Sequence, residues 1–288
     1  MSLVQLVNGS ISASIAPDGQ LVSIQKEGHE YMHGAGKPDK LKDIRDKLGW
    51  DKSEIVMFPI IGKPKDNVVR MQDHDYSMDQ HGISRAIPFI VDATDGLPDL
   101  AMISQLHDGG SVANPKYKGD SSSPERLEWP AYSIDKLVQV LHGKVSVMLA
   151  VQNLTASPMS YRLGWHPAFR LQGANDDAVF TFANPRRGSS ELYMKDVIEA
   201  SASGAYFLPD VGSVQYVDRK TCRGVRLVFG GFNNAMLWTK SADSGMFCIE
   251  PVTQLPDKNR EYLDDVGHEF LGSHEIREYS VDVFPLGS

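Results

Sequence analysis

Three short clusters in this 288-residue chain carry side chains able to move protons or hold a polar ligand. Gln80-His-Gly-Ile-Ser-Arg85 puts an imidazole, a conformationally free glycine and a guanidinium within six residues. Gly164-Trp-His-Pro-Ala-Phe169 holds His166 between Trp165 and Pro167, a rigid and partly apolar setting. Phe247-Cys-Ile-Glu-Pro-Val252 embeds a carboxylate, Glu250, in apolar strand residues. Histidine and glutamate are the usual partners in general acid–base catalysis. Two titratable groups in different environments are a general mark of a divided acid and base role.

The three clusters do not weigh equally. A histidine in a strand is ordinarily a hydrogen-bonded structural residue, and Arg85 alone is an ordinary surface charge. Glu250 asks for more, because Asp and Glu are almost never fully buried without a partner. Within Phe-Cys-Ile-Glu-Pro-Val it needs a partner or a cleft, and desolvation there raises its pKa toward the range useful for proton transfer. The clusters lie far apart in the chain, so spacing alone does not bring them together. The residues by themselves reach a β-rich enzyme with His166 and Glu250 as candidates.

The elements that must position them read as strands almost throughout. Val145, Val147, Leu149 and Val151 alternate with Ser146, Met148, Ala150 and Gln152, the period of two of a half-buried strand. Val225, Leu227 and Phe229 repeat it, as do Tyr279, Val281 and Val283; Val138, Val140 and residues 178–182 add further strands. Turn signals fall between them at Asp108-Gly-Gly, Leu141-His-Gly-Lys, Gln172-Gly-Ala-Asn-Asp and Gly230-Gly231. Many short alternating strands with such punctuation predict an all-β, antiparallel sandwich or barrel. Leu41, Ile44 and Leu48 predict one short surface helix over 39–48. The polar stretch 114–128 reads as a long loop inside one domain spanning 1–288, since strand-like segments of one style flank it.

Composition is that of a soluble globular chain, 41% hydrophobic and 23% charged. A net charge of −8 with only short basic runs, Arg186-Arg187 and Arg219-Lys220, argues against nucleic acid or an anionic membrane as partner. The two cysteines, Cys222 and Cys248, lack zinc or disulfide spacing, and both read as buried, inert thiols in strand-like surroundings. No apolar run approaches a spanning helix, and the start of the chain lacks signal-peptide features. The expected compartment is the cytoplasm.

Taken in order, the clusters resemble the aldose 1-epimerase family, which is galactose mutarotase-like, and especially its divergent bacterial members. The resemblance runs from Asn8-Gly through Phe58-Pro-Ile-Ile-Gly-Lys63, Gln80-His-Gly-Ile-Ser-Arg85, Trp129-Pro, Asn153 and Gly164-Trp-His-Pro-Ala-Phe169 to Ile249-Glu-Pro. It implies a large antiparallel β-sandwich, the supersandwich, with a sugar cleft on the concave face of one sheet. It further implies that Glu250 takes the proton of the anomeric hydroxyl while His166 protonates the ring oxygen, so that the α and β anomers interconvert through the open-chain aldehyde. His81 matches the family's second histidine, which hydrogen-bonds the sugar, and Arg85 and Lys63 are expected at the same substrate. No metal or organic cofactor is implied. The partner is a small-molecule sugar, and the protein acts as a monomer or homodimer.

Two departures bear on the substrate. The family commonly has arginine where this chain has Lys63, and lysine supplies a charged donor without a planar fork. The family's sugar-binding aspartate has no clear counterpart; Asp210 and Asp218 are near enough to consider but read as turn residues. Lys63 with Arg85 also suits a hexose 6-phosphate. Trp165, Phe169 and Trp238 are candidate stacking faces for a sugar, although core packing accounts for any one of them. A non-catalytic sugar-binding protein and a structural β-sandwich module are the other readings. The second leaves Glu250 unexplained. The mutarotase reading requires His166, Glu250 and His81 to meet in one open cleft.

Overall fold

The computed structural model describes residues 3–33, 50, 52–92, 97–184, 188–256 and 268–287. The helix expected over 39–48 lies outside them, as do Arg186 and Arg187. Two antiparallel sheets dominate. The larger has nine strands, in the order Gly188–Tyr193, Ala178–Asn184, Ser213–Asp218, Gly224–Gly230, Ile276–Leu286, Lys144–Asn153, Tyr132–Leu141, Leu100–His107 and Ile90–Val91. The smaller has five, in the order Tyr206–Pro209, Asn234–Trp238, Met246–Val252, Gly164–Arg170 and Glu54–Met57. This is the all-β, antiparallel sandwich that the periodicity predicts.

The alternating sequence produces the large sheet directly. Along Lys144–Asn153 every second residue is buried, from Val145 to Asn153, and the intervening residues are half-exposed. Burying each such Val or Leu stabilises the fold by about 1.5–3 kcal/mol, so a one-residue slip in register is strongly disfavoured. The hairpin to Tyr132–Leu141 turns at His142-Gly143, where Gly143 takes a φ of 82°. The small sheet behaves differently. Every residue of Met246–Val252 and six of seven in Gly164–Arg170 are buried. Both faces of these strands are covered, hence the unbroken apolar runs around His166 and Glu250.

Facing aromatics join the sheets. Phe247 of the small sheet lies 4.3 Å from Tyr216 and 5.3 Å from Phe180 of the large one, centroid to centroid. A buried polar contact also crosses the core. The Glu54 carboxylate accepts hydrogen bonds from Lys136 Nζ, Trp165 Nε1 and the Leu21 amide, and Lys136 Nζ also donates to the Gly19 carbonyl at 2.5 Å. Of the polar stretch 114–128, the last three residues are not loop. Arg126–Trp129 is a strand paired with Gly110–Ala113, because Leu127 and Trp129 are buried on an alternating pattern. No helix among the described residues is long and apolar enough to cross a membrane.

Candidate active site

Strand register puts His166 and Glu250 side by side. Gly164 pairs with Val252 and Ala168 with Cys248, so His166 stands across from Glu250 on the neighbouring strand. His166 Nε2 is 3.4 Å from Glu250 Oε1. The period of two assigns the rest of this face: Ile55 is opposite His166, Met236 opposite Glu250 and Trp238 opposite Cys248. Trp165 and Phe169 alternate with His166 and point the other way, into the main core. Of the three aromatics considered for stacking, Trp238 alone lines the cleft described below.

His81 reaches the pair from a loop. Its backbone sits at φ 65°; its N–H donates to the Gly62 carbonyl at 2.8 Å, and the Gly62 N–H donates to His81 Nδ1 at 3.2 Å. Nδ1 accepts this bond, and His81 Nε2 lies 3.2 Å from the Gln80 side-chain amide nitrogen. Gly82 follows at φ 84°, and a Cβ there would lie 2.0 Å from the Phe58 carbonyl oxygen, so this turn admits only glycine. The His81 ring stands perpendicular to His166 with centroids 5.7 Å apart. Trp50 stacks on His166 at 5.2 Å, and Trp238 meets it edge-on at 5.9 Å.

Burial governs the protonation of the pair. Glu250 is 2% and His166 6% exposed. Desolvation pushes the Glu250 carboxyl well above the ordinary carboxylate range. Desolvation, with Arg85 adding to it, holds the His166 imidazole down at about 3. Burial, His166, Arg85 and Lys116 hold His81 well below the ordinary histidine range. Burial thus favours the neutral form of each group in the unliganded cleft. His166 Nδ1 is buried with no hydrogen-bond partner among the described residues.

All five residues expected at a substrate, Glu250, His166, His81, Arg85 and Lys63, line one cleft of about 640 Å³. That volume is typical of small-molecule sites. Gln80, at the head of the His81 cluster, lines it too, as do Lys116, Lys240, Trp50 and Met236, which carry no local sequence signal of a site. Among the described lining residues four are basic, Lys63, Arg85, Lys116 and Lys240, against one carboxyl, Glu250. Lys116 Nζ donates to Gln80 Oε1 at 3.3 Å, Arg85 Nη1 to the Gln80 carbonyl at 3.3 Å, and Lys63 Nζ to the Ser122 carbonyl. The loop that brings Lys116 is pinned from below: Asn114 Nδ2 donates to Asp79 Oδ2 at 3.0 Å and to the Pro124 carbonyl at 2.8 Å. Asp79 Oδ1 accepts the Gln80 N–H at 2.6 Å, which ties that loop to the His81 turn.

Neither aspartate considered for sugar binding lines this cleft. Asp218 is buried and caps a turn, accepting the Thr221 N–H and hydroxyl, and Asp210 occupies a turn at φ 54°. The expectation of two buried thiols fails for one of them. Cys248 is buried, but Cys222 is exposed, because it sits at φ 55° in the turn between Asp218 and Gly224 rather than in a strand.

No family model matches the chain. It is 24% identical to the protein LacX, chromosomal, of Lactococcus lactis subsp. lactis, across 82% of each chain. Its structure is similar to that of a galactose mutarotase-like protein from Lactobacillus casei, with a TM-score of 0.76 at 19% identity over 99% of this chain and 100% of that one. A galactose mutarotase related enzyme from Lactobacillus acidophilus matches with a TM-score of 0.73 at 15% identity, over 100% of this chain and 98% of that one. The chain thus has the galactose mutarotase-like fold, the group that its motifs resemble.

Proposed function

We propose that this protein is an aldose 1-epimerase, with Glu250 and His166 as its acid–base pair. The observation that carries the reading is their placement: directly opposed on neighbouring strands, 3.4 Å apart, at a cleft of small-molecule size. A pyranose with its anomeric hydroxyl and ring oxygen over this pair meets a proton acceptor and a proton donor at once. Once the bound sugar's hydroxyls solvate the pair, a proton passes from Glu250 to His166; the Glu250 carboxylate then takes the hydroxyl proton, His166 protonates the ring oxygen, and the C1–O5 bond breaks. The pair then holds its proton on Glu250, the state that burial favours. After rotation about C1–C2 the aldehyde presents its other face; His166 takes back the O5 proton, Glu250 returns its own to the carbonyl oxygen, and the ring closes as the other anomer. No net proton is exchanged with water. Each assisted transfer supplies about 10²–10⁴-fold. The His81 imidazole is a polar contact for the sugar, and Trp50 and Trp238 give the cleft aromatic walls.

The basic lining favours a second reading of the substrate, an anionic sugar such as a hexose 6-phosphate. Lys63, Arg85, Lys116 and Lys240 line the cleft of a chain whose net charge is −8, and a phosphate gains charge-assisted hydrogen bonds from such donors. Two free thiols fit a reducing, cytoplasmic compartment. The test is NMR exchange or polarimetry on freshly dissolved α-anomers of glucose, galactose and their 6-phosphates. Exchange faster than buffer supports the enzyme, and preference for the phosphates supports the anionic substrate. Sugar binding without faster exchange makes the protein a non-catalytic binder.

A further inference from the structure

We propose that His166, Cys248 and Glu250 together form a binding site for one thiophilic divalent cation, Zn²⁺ foremost, that blocks the acid–base pair when it binds. Cys248 and Glu250 are two residues apart on one strand and so share a face, and His166 stands beside Glu250 on the next strand. An imidazole nitrogen, a thiol sulfur and a carboxylate oxygen from these residues all lie within 4.8 Å of one another. The 3.4 Å between His166 Nε2 and Glu250 Oε1 is the spacing of two ligands each about 2.1 Å from a tetrahedral ion. The sulfur, with its longer bond of about 2.3 Å, reaches such an ion by a shift of about 1 Å at most.

The donor set selects the metal. One sulfur, one nitrogen and one oxygen suit Zn²⁺ and its soft relatives, whereas Mg²⁺ and Ca²⁺ require oxygen shells. Three protein ligands leave a fourth tetrahedral position directed at the cleft, open to water or a sugar hydroxyl. Trp50 and Trp238 pack against the cluster that contains Cys248 and keep bulk water from the sulfur. Charge and protons balance: the ion brings two positive charges and displaces two protons, one from the Cys248 thiol and one from the His166–Glu250 pair. With Nε2 and the carboxylate oxygen both bound to the ion, neither can pass a proton to a sugar.

The inhibitory consequence rests on the epimerase reading; the binding itself does not. The test uses the full chain carrying Cys222→Ser, because exposed Cys222 would also take up soft ions. Titration with Co²⁺ is expected to give one tetrahedral site per chain with a sulfur-to-cobalt charge-transfer band, and Zn²⁺ is expected to displace the cobalt. Adding Cys248→Ala should remove the band and weaken cobalt binding about tenfold or more, with circular dichroism and thermal melting verifying the fold. His166→Ala should weaken binding comparably while keeping the sulfur band at high Co²⁺. Absence of the band in the Cys222→Ser protein, or its persistence in Cys248→Ala, overturns the proposal. In exchange assays Zn²⁺ should slow the Cys222→Ser protein and spare the Cys248→Ala variant. Because the spectrum needs no turnover, a chain that binds cobalt through sulfur but exchanges no anomer refutes the epimerase reading alone.

Discussion

Replacing Lys136 with methionine tests the claim that one buried ion pair supports the strand beneath the cleft. Lys136 and Glu54 are each 2% exposed. The ammonium donates to Glu54 and to the Gly19 carbonyl; the carboxylate also accepts from Trp165 Nε1 and, at 2.6 Å, from the Leu21 amide. Methionine keeps the length of the side chain but removes the charge, leaving a buried carboxylate with two neutral donors. Breaking a buried pair in this way costs about 3–5 kcal/mol. At ~2 °C per kcal/mol for a chain of this size, the melting temperature should fall by roughly 6–10 °C. Glu54→Gln alone leaves the ammonium uncompensated and should cost about as much, whereas the double variant leaves no buried charge and should recover at least about 1.5 kcal/mol over the worse single variant. Urea and thermal unfolding of the four proteins, followed by circular dichroism, complete the cycle. A Lys136→Met protein within 1 kcal/mol of the parent, or a double variant no better than either single one, refutes the reasoning.

Glu250→Gln should stabilise the protein near neutral pH while removing anomer exchange. The folded-state pKa of Glu250 is raised by burial, so the folded state holds the proton more tightly than the unfolded one. The stability this contributes is full below the unfolded value of about 4.3 and is lost as pH rises through the folded value. The melting-temperature advantage of the Gln variant should therefore grow from pH 4.5 to pH 8; a constant difference contradicts the assignment. Gly82→Ala places a methyl against the Phe58 carbonyl in a positive-φ turn and should cost about 2 kcal/mol or more or displace His81, read as lost stability or a raised KM; unchanged values of both refute it. A thiol reagent should modify one cysteine, Cys222, in the native protein and both in urea; fast native modification of two contradicts the burial of Cys248.

Much of the sandwich is legible in the sequence because period-two alternation is a local signal. Val145 to Val151, Val225 to Phe229 and Tyr279 to Val283 all lie in strands of the large sheet. Glu250 is legible for a different reason, since a carboxyl in an unbroken apolar run must face something other than core. What it faces is not legible, because its neighbour His166 is fixed by long-range register and no local rule brings the two strands together. Alternation about His166 does sort Trp165 and Phe169 onto the opposite face, once the catalytic face is known. Lys116 is not legible, because a polar, Gly- and Ser-rich loop carries no sign of where it folds back; the Asn114–Asp79 bond that places it joins distant segments. The strands that flank Cys222 suggest burial, whereas Asp218-Arg-Lys-Thr just before it spells the turn that exposes it.

In the proposed reaction His166 and Glu250 share one proton and pass it through a sugar ring. Saturation-transfer NMR between the α and β anomeric protons, run on the parent, His166→Ala and Glu250→Gln with glucose, galactose and their 6-phosphates, tests it most directly. Exchange well above the buffer rate is expected for the parent with at least one of these sugars, and a fall of about 10²-fold or more in each folded variant. Buffer-rate exchange by the parent on every sugar, or parent-like exchange by either variant, would contradict it.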